Sequence, residues 1–433
     1  MKQPATVIAH CDANSFYCSC HRVFEPALLR MPVGVLSNND GCVIARTPEL
    51  KAIGVAMGTP FFQVRRLMEQ GQIAIRSSNY PLYGDMSERF MSVLEGFTPE
   101  VEVYSIDEAF LRFTGFPVEN WEAQGRAIQQ KVGRWTGLPI GVGISTTKVL
   151  AKLANYAAKH YPATGGVVDL TDPERQKRLM AITPVDELWG IGRRLAPRLK
   201  EQGILTVRDF ANLEPSQAKR QYSVTEERLV RELRGENCLP WDEEQDGNKH
   251  TIMCSRSFGL PVSSEKEVWE ALATYVSRAC EKMRRQGKAA AKAQLFLRTD
   301  PFRKDDGQYH GSLVLQIPQA SASTSIWLRE THKGLKRIFR EGYQYRKAGF
   351  VLLDIGSQTT EQGDLFTVRP PSQESSKPEL TDVLDSINNR FGNNTLKVAA
   401  SGNKPARWHM KQNYLSPRYT TQWSDLATVR CKL

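Results

Sequence analysis

A chain of 433 residues is longer than one hydrophobic core serves, so three or four domains are expected. A hydrophobic share of 40% excludes wholesale disorder, and no apolar run approaches the roughly 18 residues that span a bilayer. The net charge of +11 favours a polyanionic partner, nucleic acid or an acidic membrane surface.

At the N-terminus, residues 5–11 read as a short buried strand that delivers Asp12 at its carboxyl end, with a helix start beyond. Asp12 also interrupts any signal-peptide core, so the expected location is the cytoplasm, with no membrane partner. The eight cysteines form no even framework and no CxxC pair, which suits a reducing compartment. His10-Cys11 and Cys18-Ser19-Cys20-His21 have no second ligand pair to follow them, so they are expected to be structural.

Residues 33–80 hold short strands and Gly/Asn/Pro turns. From Tyr83 to Leu94 the apolar positions Met86, Phe90, Val93 and Leu94 keep helical spacing. VEVYSIDEAFLRF predicts two strands around a turn at Ile106-Asp107-Glu108, and LPIGVGIS a buried strand running into a helix capped by Ser145 or Thr146. This order resembles a ferredoxin-like βαββαβ unit with 33–80 inserted, closed by the turn at 164–166 and the strand VVDL.

Residues 183–240 turn helical and short-looped, and 241–250 read as a polar linker. Helix and strand patterns return over 251–356 with a strongly basic face. Residues 357–379 read as extended, and Val383, Leu384, Ile387 and Phe391 predict one amphipathic helix ending at Gly392.

Asp12 at a strand end and Asp107-Glu108 in a hairpin turn carry the chemistry. Adjacent acids in an apolar segment are costly unless neutralised, and divalent cations are the usual remedy. Two metals about 3.5–4 Å apart can activate a 3′-hydroxyl and stabilise a leaving pyrophosphate, and Mg²⁺ suits a few carboxylates plus substrate phosphates. The plainer alternative is that the pair merely caps a surface turn. Lys148, Lys152 and Lys159 share a narrow helix face that could meet triphosphate or DNA phosphate, solvated charge being the alternative.

CDANSFYCSC at 11–20, YSIDEAF at 104–110 and GVGISTTKVLAKLANYAAK at 141–159 together resemble the Y family of DNA polymerases. The segment SNNDGCVIARTPELKAIGVAMGTP, CSRSFG at 254–259, RKAGFVLLDI at 346–355 and SPRYTTQWSDL resemble its bacterial polymerase V branch. The resemblance implies an α+β, multidomain, right-hand polymerase. Its parts would be a ferredoxin-like palm (1–25 and 81–180), small fingers (26–80), a helical thumb with a helix-hairpin-helix (181–240), the linker, an α/β little finger (251–356) and a tail (357–433). It implies a template-directed DNA polymerase for error-prone translesion synthesis in the SOS response.

By the same resemblance, two Mg²⁺ ions would sit on Asp12, Asp107, Glu108 and the Ala13 backbone. Tyr17, with Phe16, occupies the steric-gate position, where a bulky ring leaves no room for a ribose 2′-hydroxyl. Lys159 would bind the triphosphate together with Arg46 or Lys51, because Pro48 and Lys51 stand where many relatives have Tyr and Arg. DNA contacts would come from Lys148, Lys152, the Gly190 and Gly192 amides, and Lys282, Arg284, Arg285, Lys336 and Arg337. Gln362, Leu365 and Phe366 resemble a clamp-binding motif. The implied partners are primer-template DNA, dNTPs, the sliding clamp, a dimer of a cleaved UmuD-type protein and a RecA filament. Two rivals remain: a nucleotidyl cyclase-like palm enzyme, which leaves the basic third module unexplained, and a non-catalytic DNA-binding scaffold, which would not retain the three acids.

Overall fold

The computed structural model describes residues 6–241, 250–303, 305–357, 378–392, 395–402 and 407–426. Two compact units emerge, one from 1–247 with 413–433 and the other from 248–412.

In the first unit, β1 (Thr6–Ala13) alternates strictly: Val7, Ala9, Cys11 and Ala13 enter one core, while Ile8, His10 and Asp12 face the other side. The chain continues through α1 (Phe16–Phe24) into a small sheet of β2 (Val33–Leu36), β3 (Val43–Arg46) and, after α2 (Pro48–Ala52) and α3 (Phe61–Glu69), β4 (Ala74–Ser77). Strand order there is β3-β2-β4, around a core of Leu36, Val43, Leu50, Val64 and Ile75.

Helix α4 (Tyr80–Glu95) buries the predicted Met86, Phe90, Val93 and Leu94. It leads into β5 (Val101–Val103), β6 (Glu108–Thr114), α5 (Trp121–Thr136) and β7 (Ile140–Ser145). With α6 (Lys148–His160) and β8 (Val167–Asp169) these complete a sheet of order β5-β6-β1-β7-β8. The βαββαβ expectation holds, with β8 added parallel to β7.

Helix α6 is capped by Thr147, whose side chain accepts from Leu150 N–H, not by Ser145 or Thr146. β7 runs on through Ser145, whose hydroxyl donates to the Leu170 carbonyl instead. A Cβ on Gly143 would lie 2.1 Å from the Asn155 nitrogen, so glycine here lets α6 sit directly on the sheet.

Helices α7 (Pro173–Ile182), α8 (Leu195–Glu201), α9 (Val207–Ala211), α10 (Pro215–Gln221) and α11 (Val224–Leu233) share a further core with α6. Leu179 and Met180 of α7 enter that shared core, next to Val168 and Leu170.

Among the described residues, the second unit forms a five-stranded antiparallel sheet packed against two helices. β9 (Thr251–Val262), α12 (Glu265–Arg284), β10 (Lys288–Thr299), β11 (His310–Ser321), α13 (Thr324–Ile338) and β12 (Tyr345–Leu353) give the order β11-β10-β12-β9. β13 (Gly356–Ser357) pairs with β10, and α14 (Pro378–Phe391) follows. α14 matches the expected amphipathic helix, yet Val383 and Phe391 are exposed. No helix among the described residues is long and apolar enough to cross a membrane. The linker residues 242–249 and the clamp-like Gln362, Leu365 and Phe366 lie outside the described residues.

Candidate active site

Antiparallel pairing of β1 with β6 sets Asp12 directly opposite Glu108. Opposed side chains on one sheet face stand about 4.5–5.5 Å apart at Cβ, so two carboxylates are forced together. Helix α6 lies over that face, and its residues at spacings of four, three and four meet the sheet in a row. Lys148 Nζ is 2.5 Å from Glu102 Oε2, Lys152 pairs with Glu108, Asn155 donates to the His10 and Gly141 carbonyls, and Lys159 Nζ lies 2.5 Å from Asp12 Oδ1.

Burial pushes the Asp12 carboxyl up to about 6, Lys159 offsetting only part of that cost. Burial acts on Glu108 in the same sense, yet hydrogen bonds from His10 and Lys152 outweigh it and hold that carboxyl near 2. The His10 imidazole, kept neutral by burial with its pKa lowered to about 4, donates from Nε2 to Glu108 Oε2 at 3.0 Å. Its Nδ1 is buried without a hydrogen-bond partner among the described residues.

The ligand atoms of His10, Asp12 and Glu108 lie within 4.8 Å of one another. Sequence spacing alone points to Asp107 as the third member. Asp107 instead sits in the turn before β6, where its carboxylate accepts from Ser105 Oγ at 2.6 Å and its carbonyl from Ala13 N–H at 2.9 Å. Its charge still acts on both Asp12 and Tyr17. Strand parity is the signal for His10: a residue two before Asp12 shares its face.

Other expected site residues divide clearly. The Tyr17 ring is half-buried and stacks on Tyr83, centroids 4.2 Å apart at 18°, whereas Phe16 is buried in the core. Lys148 is only 4% exposed, and its ammonium is shared between Glu102 and the Pro240 carbonyl, so it is structural and not a DNA contact. Lys152 points inward, over the Tyr104, Phe110 and Trp189 rings. Arg46 donates to the Val55 carbonyl, while the exposed Lys51 has no side-chain partner among the described residues. Gly190 and Gly192 are exposed in the turn before α8, Gly190 at φ +94°. That turn follows a 3₁₀ segment (Val185–Glu187) rather than a full helix.

In the second unit, Arg284 is held by Asp385 of α14 through two hydrogen bonds, 2.7 and 2.9 Å, and Arg285 by Glu281 and Asn389. The Arg284 guanidinium is engaged through all three nitrogens, whereas the exposed Arg285 bonds through Nη2 alone. Lys282, Lys336 and Arg337 are exposed on the helices. One face of the sheet carries Lys292, Arg298 and Lys347; clustering along the sequence picks out the two lysines but not Arg298. Arg298 stands directly opposite Lys347, and neither has an ion-pair partner among the described residues. Like charges facing each other across a sheet are destabilising, so this pair is suited to a polyanion.

Comparisons with known proteins agree with this architecture. Residues 11–156 match the impB/mucB/samB family and 249–365 its C-terminal domain, while 378–429 match a domain of unknown function (DUF4113). Protein UmuC of Salmonella typhimurium is 43% identical, covering 98% of this chain and 100% of its own length. Protein ImpB of Salmonella typhimurium is 40% identical, also over 98% and 100%. The solved Y-family DNA polymerase chimera Dbh-Dpo4(243-245)-Dbh shares the fold with a TM-score of 0.63 at 20% identity, over 81% of this chain and 99% of that one. Identity of this order along nearly the whole length leaves one conclusion: the chain belongs to the impB/mucB/samB family, the UmuC-type branch of the Y-family translesion DNA polymerases.

Proposed function

We propose that this chain joins deoxynucleoside triphosphates to a primer 3′-hydroxyl on the Asp12–Glu108 face of the palm, directed by a DNA template. Its role is error-prone synthesis past damaged bases in the SOS response, in the cytoplasm. The carrying observation is the direct pairing of Asp12 with Glu108 beneath the lysines of α6. Hard carboxylate oxygens in this arrangement fit Mg²⁺, and two such ions on Asp12, Asp107, Glu108 and the Ala13 carbonyl would activate the hydroxyl and offset charge on the leaving pyrophosphate.

The protein's own groups do the rest. His10 and Lys152 keep Glu108 ionised and oriented, and Lys159 is placed to share its charge between Asp12 and a triphosphate oxygen. In the fingers Lys51 is the better second phosphate ligand, because the Arg46 guanidinium is engaged by Val55. The stacked Tyr17–Tyr83 pair makes a stiff floor that a 2′-hydroxyl cannot displace. The sliding clamp, a dimer of a cleaved UmuD-type protein and a RecA filament are the partners the family resemblance suggests.

Primer extension with Mg²⁺ on a defined template tests this reading. The parent should add the complementary dNTP and discriminate strongly against rNTPs, and Tyr17→Ala should reduce that discrimination at least tenfold. Template-independent formation of a cyclic nucleotide would instead support the cyclase rival, and no turnover the scaffold.

That sheet face of the second unit makes its own prediction. Each phosphate contact removed lowers the salt slope of DNA binding by about 0.9. Replacing Arg298 and Lys347 by alanine should weaken primer-template binding and flatten its log–log salt dependence by about two contacts. The same change at Arg284 alone, whose donors are all engaged, should leave that slope unchanged. A titration of affinity against salt separates the two cases.

A further inference from the structure

The chain leaves the first unit at 247 and returns to it at 413, within the stretch matched by the domain of unknown function. On its return it is clipped to the fingers by groups that have little else to bind. Asp40 is a buried carboxylate at φ +52°, which only local support makes tolerable. One of its oxygens accepts from Ser77 Oγ at 2.5 Å and the other from Asn413 N–H at 2.7 Å. Tyr414 then extends the ladder at the edge strand β4: its N–H donates to Ser77 Oγ at 3.0 Å, and its carbonyl accepts from Ser77 N–H at 2.9 Å.

Two rings anchor the same segment, Tyr414 against Phe61 (5.2 Å) and Tyr419 stacked on Phe24 (5.0 Å, 8° between planes). Asn79, fully buried, is the most telling partner. Its side-chain oxygen caps α4 by accepting from Leu82 N–H, and its amide donates to the Ser416 carbonyl, the Ser416 hydroxyl and the Pro417 carbonyl. Helix α4 begins at the next residue, and its first turn carries Tyr80 and Tyr83, both in ring contact with Tyr17.

We propose that residues 413–419 are a positioning strap that fixes the first turn of α4, and through Tyr83 the sugar-discriminating ring of Tyr17. None of these residues touches substrate; they act through Asn79. The inference rests on the reading of Tyr17 as the gate. It assigns a task in nucleotide selection to part of the stretch matched by the domain of unknown function.

The test uses the full-length chain and the ratio of kcat/KM for a dNTP to that for the matching rNTP. Asn79→Asp keeps the oxygen that caps α4 but turns an acceptor toward the Ser416 and Pro417 carbonyl oxygens, so these two contacts of the strap become repulsive while the cap survives. It should lower discrimination roughly tenfold, since displacements near 1 Å at a reacting centre have effects of that order or more. Ser416→Ala should lower it by less. Asn413→Ala should leave it unchanged, because that residue bonds through its backbone.

A chain ending at 412 should lose discrimination as well and regain it when a peptide of residues 407–426 is added. Unchanged discrimination in Asn79→Asp, with Tyr17→Ala still relaxed, overturns the strap and leaves the gate standing. A fall in thermal midpoint or in overall rate with the sugar ratio intact also overturns it, showing a merely structural tail. Should Tyr17→Ala itself keep the parent's ratio, the gate reading fails and this proposal fails with it.

Discussion

Replacing Asp12 with alanine is expected to lower single-turnover nucleotide incorporation by about a thousandfold while leaving primer-template affinity within a few-fold of the parent. Asp12 is where the palm concentrates its electrostatic cost. Burial raises its carboxyl to about 6 even with Lys159 at 2.5 Å, so the site gains from any further cation it can hold. Removing the carboxylate takes away one wall of the candidate metal site and leaves Lys159 without its partner. DNA affinity should survive because a carboxylate repels phosphate and contributes nothing to backbone binding. Glu108→Gln should show a loss of similar order, since it replaces an acceptor held by both His10 and Lys152 with a neutral amide. Rapid-quench incorporation and fluorescence anisotropy, run on one preparation, measure the two quantities. If Asp12→Ala extends primers within tenfold of the parent, the chemistry lies elsewhere.

The largest effect on stability is expected at Lys148→Ala. Its ammonium and the Glu102 carboxylate are both nearly fully buried, 2.5 Å apart. Deleting one member of such a pair strands a charge in a medium that solvates it poorly, at a cost of about 3–5 kcal/mol. The neighbouring Trp241 and Phe110 rings, 4.6 and 5.6 Å from the ammonium, lose a cation–π partner in addition. The double replacement Lys148→Met with Glu102→Leu removes both charges and should recover most of the loss. Denaturant unfolding of the single and double variants decides the matter: a single variant as stable as the parent would mean that water reaches Glu102. Catalytic losses in Lys148→Ala should follow its folded fraction, unlike those in Asp12→Ala.

Much of the palm is legible in the sequence because its signals are local. Alternation in β1, the Ile-Asp-Glu turn and the spacing of Met86, Phe90, Val93 and Leu94 each lie within a dozen residues. What escapes such reading depends on what comes to lie opposite. The helical wheel groups Lys148 with Lys152 and Lys159, but nothing in it says that Glu102 will stand across from the first of them. His10 invites reading with its neighbour Cys11, although strand parity couples it to Asp12 and register couples it to Glu108. Basic runs along the chain pick out Lys347 but not Arg298, which strand register alone sets opposite it from 49 residues away. The return of 413–419 to the fingers has no periodic signature, because backbone amides and one asparagine carry most of it.

That return bears on how such genes can be cut and recombined. A fragment encoding 1–247 omits the partner of Asn79 and of the Asp40 carboxylate, so it does not encode a complete catalytic half. An exchange of fingers between two relatives that leaves the last twenty residues behind would set one parent's β4 edge against the other's tail. Hybrids that carry residues 33–80 and 413–426 from the same parent should express and select nucleotides better than hybrids that divide them, so the two segments form one heritable block although more than 300 residues separate them.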